Sequence, residues 1–232
     1  MNKDSWYTLD TTDAVISPSL LVFPKRIAHN IETMVHMAGG PENLRPHIKT
    51  HKNAEIITMQ MEQGITKFKC ATIAEAELLA NCNAPDILLA MQAVGANQNR
   101  YVQLVTTYPN LRFSTLVDND VTATELGNIA EQNNITISLY IDLNVGMNRT
   151  GIVPSNEALE LYKYISEHKF LKIEGLHAYD GHLRNTDVTV RQSDCDAVFK
   201  TVLQLKDAIL KAGLPEPIPV SYTHLTLPTI QL

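Results

Sequence analysis

The sequence predicts an α/β protein folded as a parallel (β/α) barrel, and three features of the chain lead there. Short apolar, β-branched runs alternate with longer amphipathic stretches, the pattern of repeated strand–helix units. Runs such as TISLYIDL (Thr136–Leu143) are apolar on both faces, as parallel strands covered by helices are. No glycine-rich loop follows any run, which favours a barrel over a doubly wound nucleotide-binding sheet.

In chain order, strands are expected at Ser19–Phe23, Leu44–Thr50, Lys67–Thr72, Ile87–Met91, Arg112–Asp118, Thr136–Leu143 and Lys172–Ala178, with a short one starting near Pro217. Helical periodicity fills the intervals: Lys25–Met37, Ala54–Glu62, Ile73–Cys82, Asn97–Thr107, Val121–Gln132, Asn156–Glu167 and Asp187–Ala212. No internal repeat or low-complexity tract interrupts the series.

With 232 residues, 44% of them hydrophobic, the chain can bury one sizeable core. Its formal net charge of -6 gives no global support for a nucleic-acid partner. Cys70, Cys82 and Cys195 are far apart and lack CxxC spacing, so they read as reduced thiols. The N-terminus lacks a signal-peptide pattern, and no apolar run approaches the ~20 residues needed to span a bilayer. The expectation is a soluble, cytoplasmic protein without a membrane partner.

The most informative stretch is LRPHIKTHK (Leu44–Lys52). Read as a strand, it puts Arg45, His47, Lys49 and His51 on one face. An amine attacks a carbonyl only when it is at least partly neutral, and both burial and nearby cations lower a lysine pKa. A basic surface strand is the competing reading of charge pattern alone. Pro46 is tolerable near a strand start.

RPHIKTHK resembles the lysine segment of the D-threonine aldolase/D-serine dehydratase family, relatives of the alanine racemase N-terminal barrel. Further segments follow in that family's order: CATIAEAELL (Cys70–Leu79), DILLAMQAVG (Asp86–Gly95), DLNVGMNRTGI (Asp142–Ile152) and GLHAYDGHL (Gly175–Leu183). The likeness runs from about residue 17 to 219. It implies a fold-type-III, TIM-type barrel for pyridoxal 5'-phosphate (PLP), here incomplete and without the family's C-terminal β domain. Lys49 is then the covalent cofactor lysine, and the implied cofactor-binding set is Lys49, His47, Arg149 and Tyr179. The resemblance further implies a small-molecule amino-acid substrate, a homodimer at full length, and a divalent metal whose ligands lie outside this chain. The implied reaction is cleavage of a D-β-hydroxy amino acid to glycine and an aldehyde. A D-serine dehydratase and a non-catalytic PLP-carrier barrel are the alternatives.

Arg149 follows an expected strand end, where barrel enzymes place their chemistry, and a planar, permanently charged donor suits a ring oxygen or a carboxylate. Gly146 and Gly151 are expected to permit the bends on either side of it. His177 shares a strand face with Tyr179 and is expected below the site. His182 is either a general base or a loop histidine satisfied by its neighbours. A zinc site from His177, Asp180 and His182 lacks a fourth ligand and a recognised spacing. Asp118 and Asp142 end strands, and loop or helix capping is the default reading for both.

Residues 1–219 are expected to be the partial barrel. From Val220 the peptide VSYTHLTLPT matches one reading frame of a transposon-end sequencing adapter, so 220–232 are expected to be foreign to the natural gene, and Tyr222 and His224 are not read as site residues.

Overall fold

The computed structural model describes residues 7–9 and 11–221. Six strands, β1 (Lys67–Cys70), β2 (Asp86–Gln92), β3 (Arg112–Val117), β4 (Ile137–Leu143), β5 (Leu171–Ala178) and β6 (Ile218–Ser221), form one sheet in sequential order. Every adjacent pair is parallel. The sheet curls into the open wall of a barrel.

The helices are α1 (Pro24–Met37), α2 (Ala54–Glu62), α3 (Ile73–Asn81), α4 (Ala96–Thr107), α5 (Asp120–Gln132), α6 (Asn156–Glu167) and α7 (Val188–Lys211). Their starts are written locally. Pro24 opens α1, where a missing N–H is no loss. Asn53, Thr72, Asn119 and Asp187 accept backbone N–H groups at the starts of α2, α3, α5 and α7.

Two cores result. The larger lies between sheet and helices and includes Phe68, Leu79, Ile87, Leu126, Ile141 and Tyr162. The smaller, formed by Leu88, Leu116, Tyr140 and Val220, fills the inward face of the sheet. At its amino end sits an ion network. Arg45 pairs with Asp86; Arg112 pairs with Asp86 at 3.6 Å and also with Glu174; Ser138 Oγ donates to Glu174 at 3.0 Å.

Two expected strands are not formed. Ser19–Phe23 pairs with none of the six strands, and Leu20 is 89% exposed. Its apolar, β-branched composition fits a strand, but a ladder needs a neighbour. Leu44–Thr50 begins extended, makes one parallel bridge between His47 and Lys69, and then turns through a 3-10 helix at Ile48–Thr50. Pro46 has no N–H to give a ladder, and the His47 ring captures the Lys49 N–H through Nδ1 at 3.2 Å. Arg45, His47, Lys49 and His51 therefore do not share a strand face. Of the expected foreign tail, 222–232 lie outside the described residues, while Val220 and Ser221 belong to β6.

No helix among the described residues is long and apolar enough to cross a membrane. The network predicts unequal costs. Asp86→Ala leaves Arg45, with an 11% exposed side chain, without its partner and should cost about 3 kcal/mol in urea unfolding. Lys172→Ala, at 61% side-chain exposure, should cost under about 1 kcal/mol.

Candidate active site

The penultimate residues of three strands meet inside the barrel at its carboxyl end: Lys69 of β1, Asp142 of β4 and His177 of β5. All three are buried. Lys69 Nζ lies 3.1 Å from His177 Nε2, and His177 Nδ1 lies 2.7 Å from Asp142 Oδ1. The carboxylate can only accept, so Nδ1 carries the proton and donates it. Nε2 then accepts from the Lys69 ammonium.

Burial, reinforced by the Lys69 charge, lowers the His177 pKa against the opposing pull of Asp142, which keeps the ring neutral. Burial likewise brings the Lys69 pKa down to about 8; Arg45 and Lys49 add to the effect, and Asp142 and Asp180 oppose it. The desolvation expected for Lys49 thus falls on Lys69, while Lys49 is exposed on its 3-10 turn. Arg45, expected to flank Lys49, is instead held by Asp86 at the other end of the barrel.

Above this trio lies a cavity of about 240 Å³ whose walls include Met91, Leu116, Asp142, Arg149, His177 and Tyr179. The loop after β4 folds back on its own strand. Asn144 N donates to Ile152 O and Ile152 N to Asp142 O, both at 2.9 Å. Thr150 Oγ1 donates to Asp142 Oδ2 and Gly151 N to Asp118 Oδ2, also at 2.9 Å. Gly146 and Gly151 adopt φ of 119° and 99°, so the expected bends are present. At Gly151 a Cβ would lie 2.6 Å from the backbone of Leu143 and Asn144. Arg149 lies over the Tyr179 ring, its Cζ 5.1 Å from the centroid, within cation–π range.

Arg149 and Tyr179 are therefore brought together at the cavity, with His177 below them as expected. Asp118 holds a loop, as its default reading has it. Asp142 does more than cap, since it binds His177 and Thr150 within the site. His182 packs against Gly146, and its Nδ1 is buried without a protein partner. His47 is pushed down to about 3 by burial and then by Lys49, Lys69, His177 and Lys52. Among the described residues no three His, Cys, Asp or Glu side chains gather as a metal site.

Lys69 escapes the motif reading. A signal for it existed: in KFKC, flanking Phe68 and Cys70 are the apolar positions that face the helices, which turns Lys69 inward.

The alanine racemase N-terminal domain family matches residues 23–224. The chain belongs to that family. A D-threonine aldolase from Arthrobacter sp is 24% identical over 177 residues, 76% of this chain and 46% of that protein. The D-threo-3-hydroxyaspartate dehydratase of Delftia sp. (strain HT23) is 24% identical over 219 residues, 93% of this chain and 56% of that protein. The crystal structure of D-threonine aldolase from Filomicrobium marinum superposes with a TM-score of 0.82 at 25% identity, covering 89% of this chain and 56% of that one. The chain spans about half the length of the curated relatives it matches. The family and the barrel architecture expected from the sequence are both borne out.

The donor set of this alanine racemase-type domain fits PLP, an anionic aromatic aldehyde. Lys49 supplies an exposed amine, Lys52, Lys69 and Arg149 supply positive charge, and Tyr179 supplies a ring face.

The Lys69 charge predicts a pH effect on folding. Its pKa falls from 10.5 to about 8, so between those values the unfolded chain holds a proton that the folded chain has released. The stability due to Lys69 therefore rises with pH across that window, and below it the buried charge costs on the order of 3 kcal/mol. Relative to Lys69→Met, the wild type should gain about that amount between pH 7.5 and 11. A flat difference in urea midpoints would show that the amine does not titrate in this window.

Proposed function

We propose that the chain carries the cofactor end of a PLP-dependent lyase acting on D-3-hydroxy amino acids, with aldolase-type cleavage to glycine and an aldehyde. The observation that carries this reading is the Arg149–Tyr179 pair beside the Asp142–His177 floor at the carboxyl ends of parallel strands. In an alanine racemase-type barrel that is where chemistry is placed. The identity of the relatives, a D-threonine aldolase and a D-threo-3-hydroxyaspartate dehydratase, supports the substrate class.

PLP, when bound, supplies an electron sink for negative charge at the substrate α carbon. Lys49 holds the cofactor through its amine, and its exposure leaves that amine accessible. His47, neutral at physiological pH, accepts the Lys49 N–H and steadies the turn that presents it. Arg149 binds an anionic oxygen of the cofactor or the substrate carboxylate, with Tyr179 supporting its guanidinium. His182, on the loop after β5 and against Gly146, is the candidate base for the proton of the substrate 3-hydroxyl.

Dehydration is the second reading. The dehydratase aligns with 93% of this chain against 76% for the aldolase. Incubation with D-threonine separates the two, since cleavage releases glycine and acetaldehyde whereas dehydration releases ammonia.

Borohydride reduction after PLP addition, followed by peptide mapping, should place the pyridoxyl group on Lys49. A label on Lys52 or Lys69 would overturn the assignment. Arg149→Ala should lower kcat/KM at least roughly tenfold, the loss of one charge-assisted hydrogen bond. Unchanged kinetics would leave Arg149 a purely structural residue.

A further inference from the structure

We propose that Lys69 is a positioning residue: its ammonium fixes His177 and, through Asp142 and Thr150, sets the place of the loop that carries Arg149. This rests on the reading of Arg149 as a cofactor or carboxylate ligand.

The bonds form one line across the barrel, buried from Lys69 to Asp142 and part-buried where it reaches Thr150. Lys69 Nζ donates to His177 Nε2 at 3.1 Å; His177 Nδ1 donates to Asp142 Oδ1 at 2.7 Å; Thr150 Oγ1 donates to Asp142 Oδ2 at 2.9 Å. Thr150 adjoins Arg149 in sequence. The Asp142 carbonyl anchors the same loop by accepting from Ile152 N at 2.9 Å. Each member has its geometry set by the next. With Nε2 occupied by an ammonium, His177 has one arrangement available, Nδ1–H towards Asp142. An Asp142 carboxylate bonded on one oxygen by that ring presents the other to Thr150. Remove the ammonium and the ring loses the partner that forbids a proton on Nε2, and Asp142 loses the cation nearest its partner.

The groups facing Lys69 are Arg45 and His47 from the segment before the 3-10 turn, Lys49 on that turn, Asp142 from β4, His177 from β5 and Asp180 just after β5. Arg45, Lys49 and burial favour loss of its proton; Asp142 and Asp180 favour keeping it. Titration near pH 8 is thus the natural handle on the line, and the bonds themselves are what it would move.

The test uses the protein with ¹⁵N-labelled histidine and backbone, together with absorbance titration by PLP. In the wild type, His177 should show a protonated Nδ1 and a hydrogen-bonded Nε2. The backbone amides of Arg149, Thr150 and Gly151 should shift together with a midpoint at about pH 8. Lys69→Met should abolish both the Nε2 signature and that midpoint. It should also weaken PLP binding at least roughly tenfold, as loss of an outer-shell partner does, while Lys69→Arg, which keeps a cationic donor, should stay within about threefold of wild type. Wild-type PLP affinity and unmoved 149–151 amides in Lys69→Met would overturn the proposal. If wild-type protein binds no PLP, the functional reading fails and the amide and imidazole shifts alone decide the positioning role. Should Lys69→Met not fold, the wild-type titration decides: amides 149–151 that stay flat through pH 8 refute it.

Discussion

A lysine can stand inside a parallel barrel only where its charge is met. The strand KFKC gives Lys69 no other direction, because Phe68 and Cys70 occupy the face packed against the helices. Leaving an ammonium in that interior without a partner would cost several kcal/mol. The interior is built around it. Asp142 supplies the opposite charge, and His177 stands between the two as a neutral spacer that satisfies a donor on one side and an acceptor on the other. Below them Leu88, Leu116, Tyr140 and Val220 exclude water. Below those, Arg45, Arg112, Asp86 and Glu174 close the amino end. The barrel is layered as ionic, apolar and polar, and the apolar layer keeps the two charged ends from exchanging partners.

The same arrangement ties the interior to the mouth. Asp142 has three acceptor duties, to His177, to Thr150 and, through its backbone carbonyl, to Ile152. The loop between Asn144 and Gly151 is consequently held along both its side-chain and backbone edges, with Asp118 of the neighbouring strand end holding Gly151. Arg149 is exposed and carries a long, flexible side chain. What gives it a fixed place is the anchored backbone beneath it and the Tyr179 ring beside it. A long side chain on an unanchored loop would have to be ordered when a ligand arrives; here the order of the backbone beneath it is already present.

Much of this was legible in the residues, and the division between what was and was not has physical causes. All seven helices lie within two residues of their expected limits, because caps such as Asn53, Thr72 and Asp187 sit next to clear apolar periodicity. Strands β1 to β5 were legible because each is buried on both faces. Ser19–Phe23 failed because composition reports β preference but says nothing of whether a partner strand exists. Leu44–Thr50 failed at its second half, where a side chain, the His47 ring, out-competed the ladder for the Lys49 N–H. At the cavity, the motifs singled out Arg149 and Tyr179, which the structure brings together. They did not locate Lys69, and Asp142 was read as a cap, because both act through hydrogen bonds between strands far apart in sequence. Only the register that sets His177 beside Asp142 across β4 and β5 brings them together.

The charges also decide which groups can act as acids. The chain as a whole is negative, with a formal charge of -6, yet Lys49, Lys52, Lys69 and Arg149 gather near one barrel mouth. Each cation there raises the cost of another. His47 registers that cost most strongly, held down to about 3 by burial and four positively charged or chargeable neighbours. At physiological pH it is a neutral ring, an acceptor for the Lys49 N–H and never a proton donor of imidazolium strength. His177 is held neutral for the same reasons and has both nitrogens occupied. His182 lies on the loop side against Gly146, and its Nδ1 is buried without a protein partner. An anion entering this mouth relieves the mutual repulsion of Lys49, Lys52 and Lys69, so the charges that hold His47 and His177 neutral are the same ones that favour an anionic ligand.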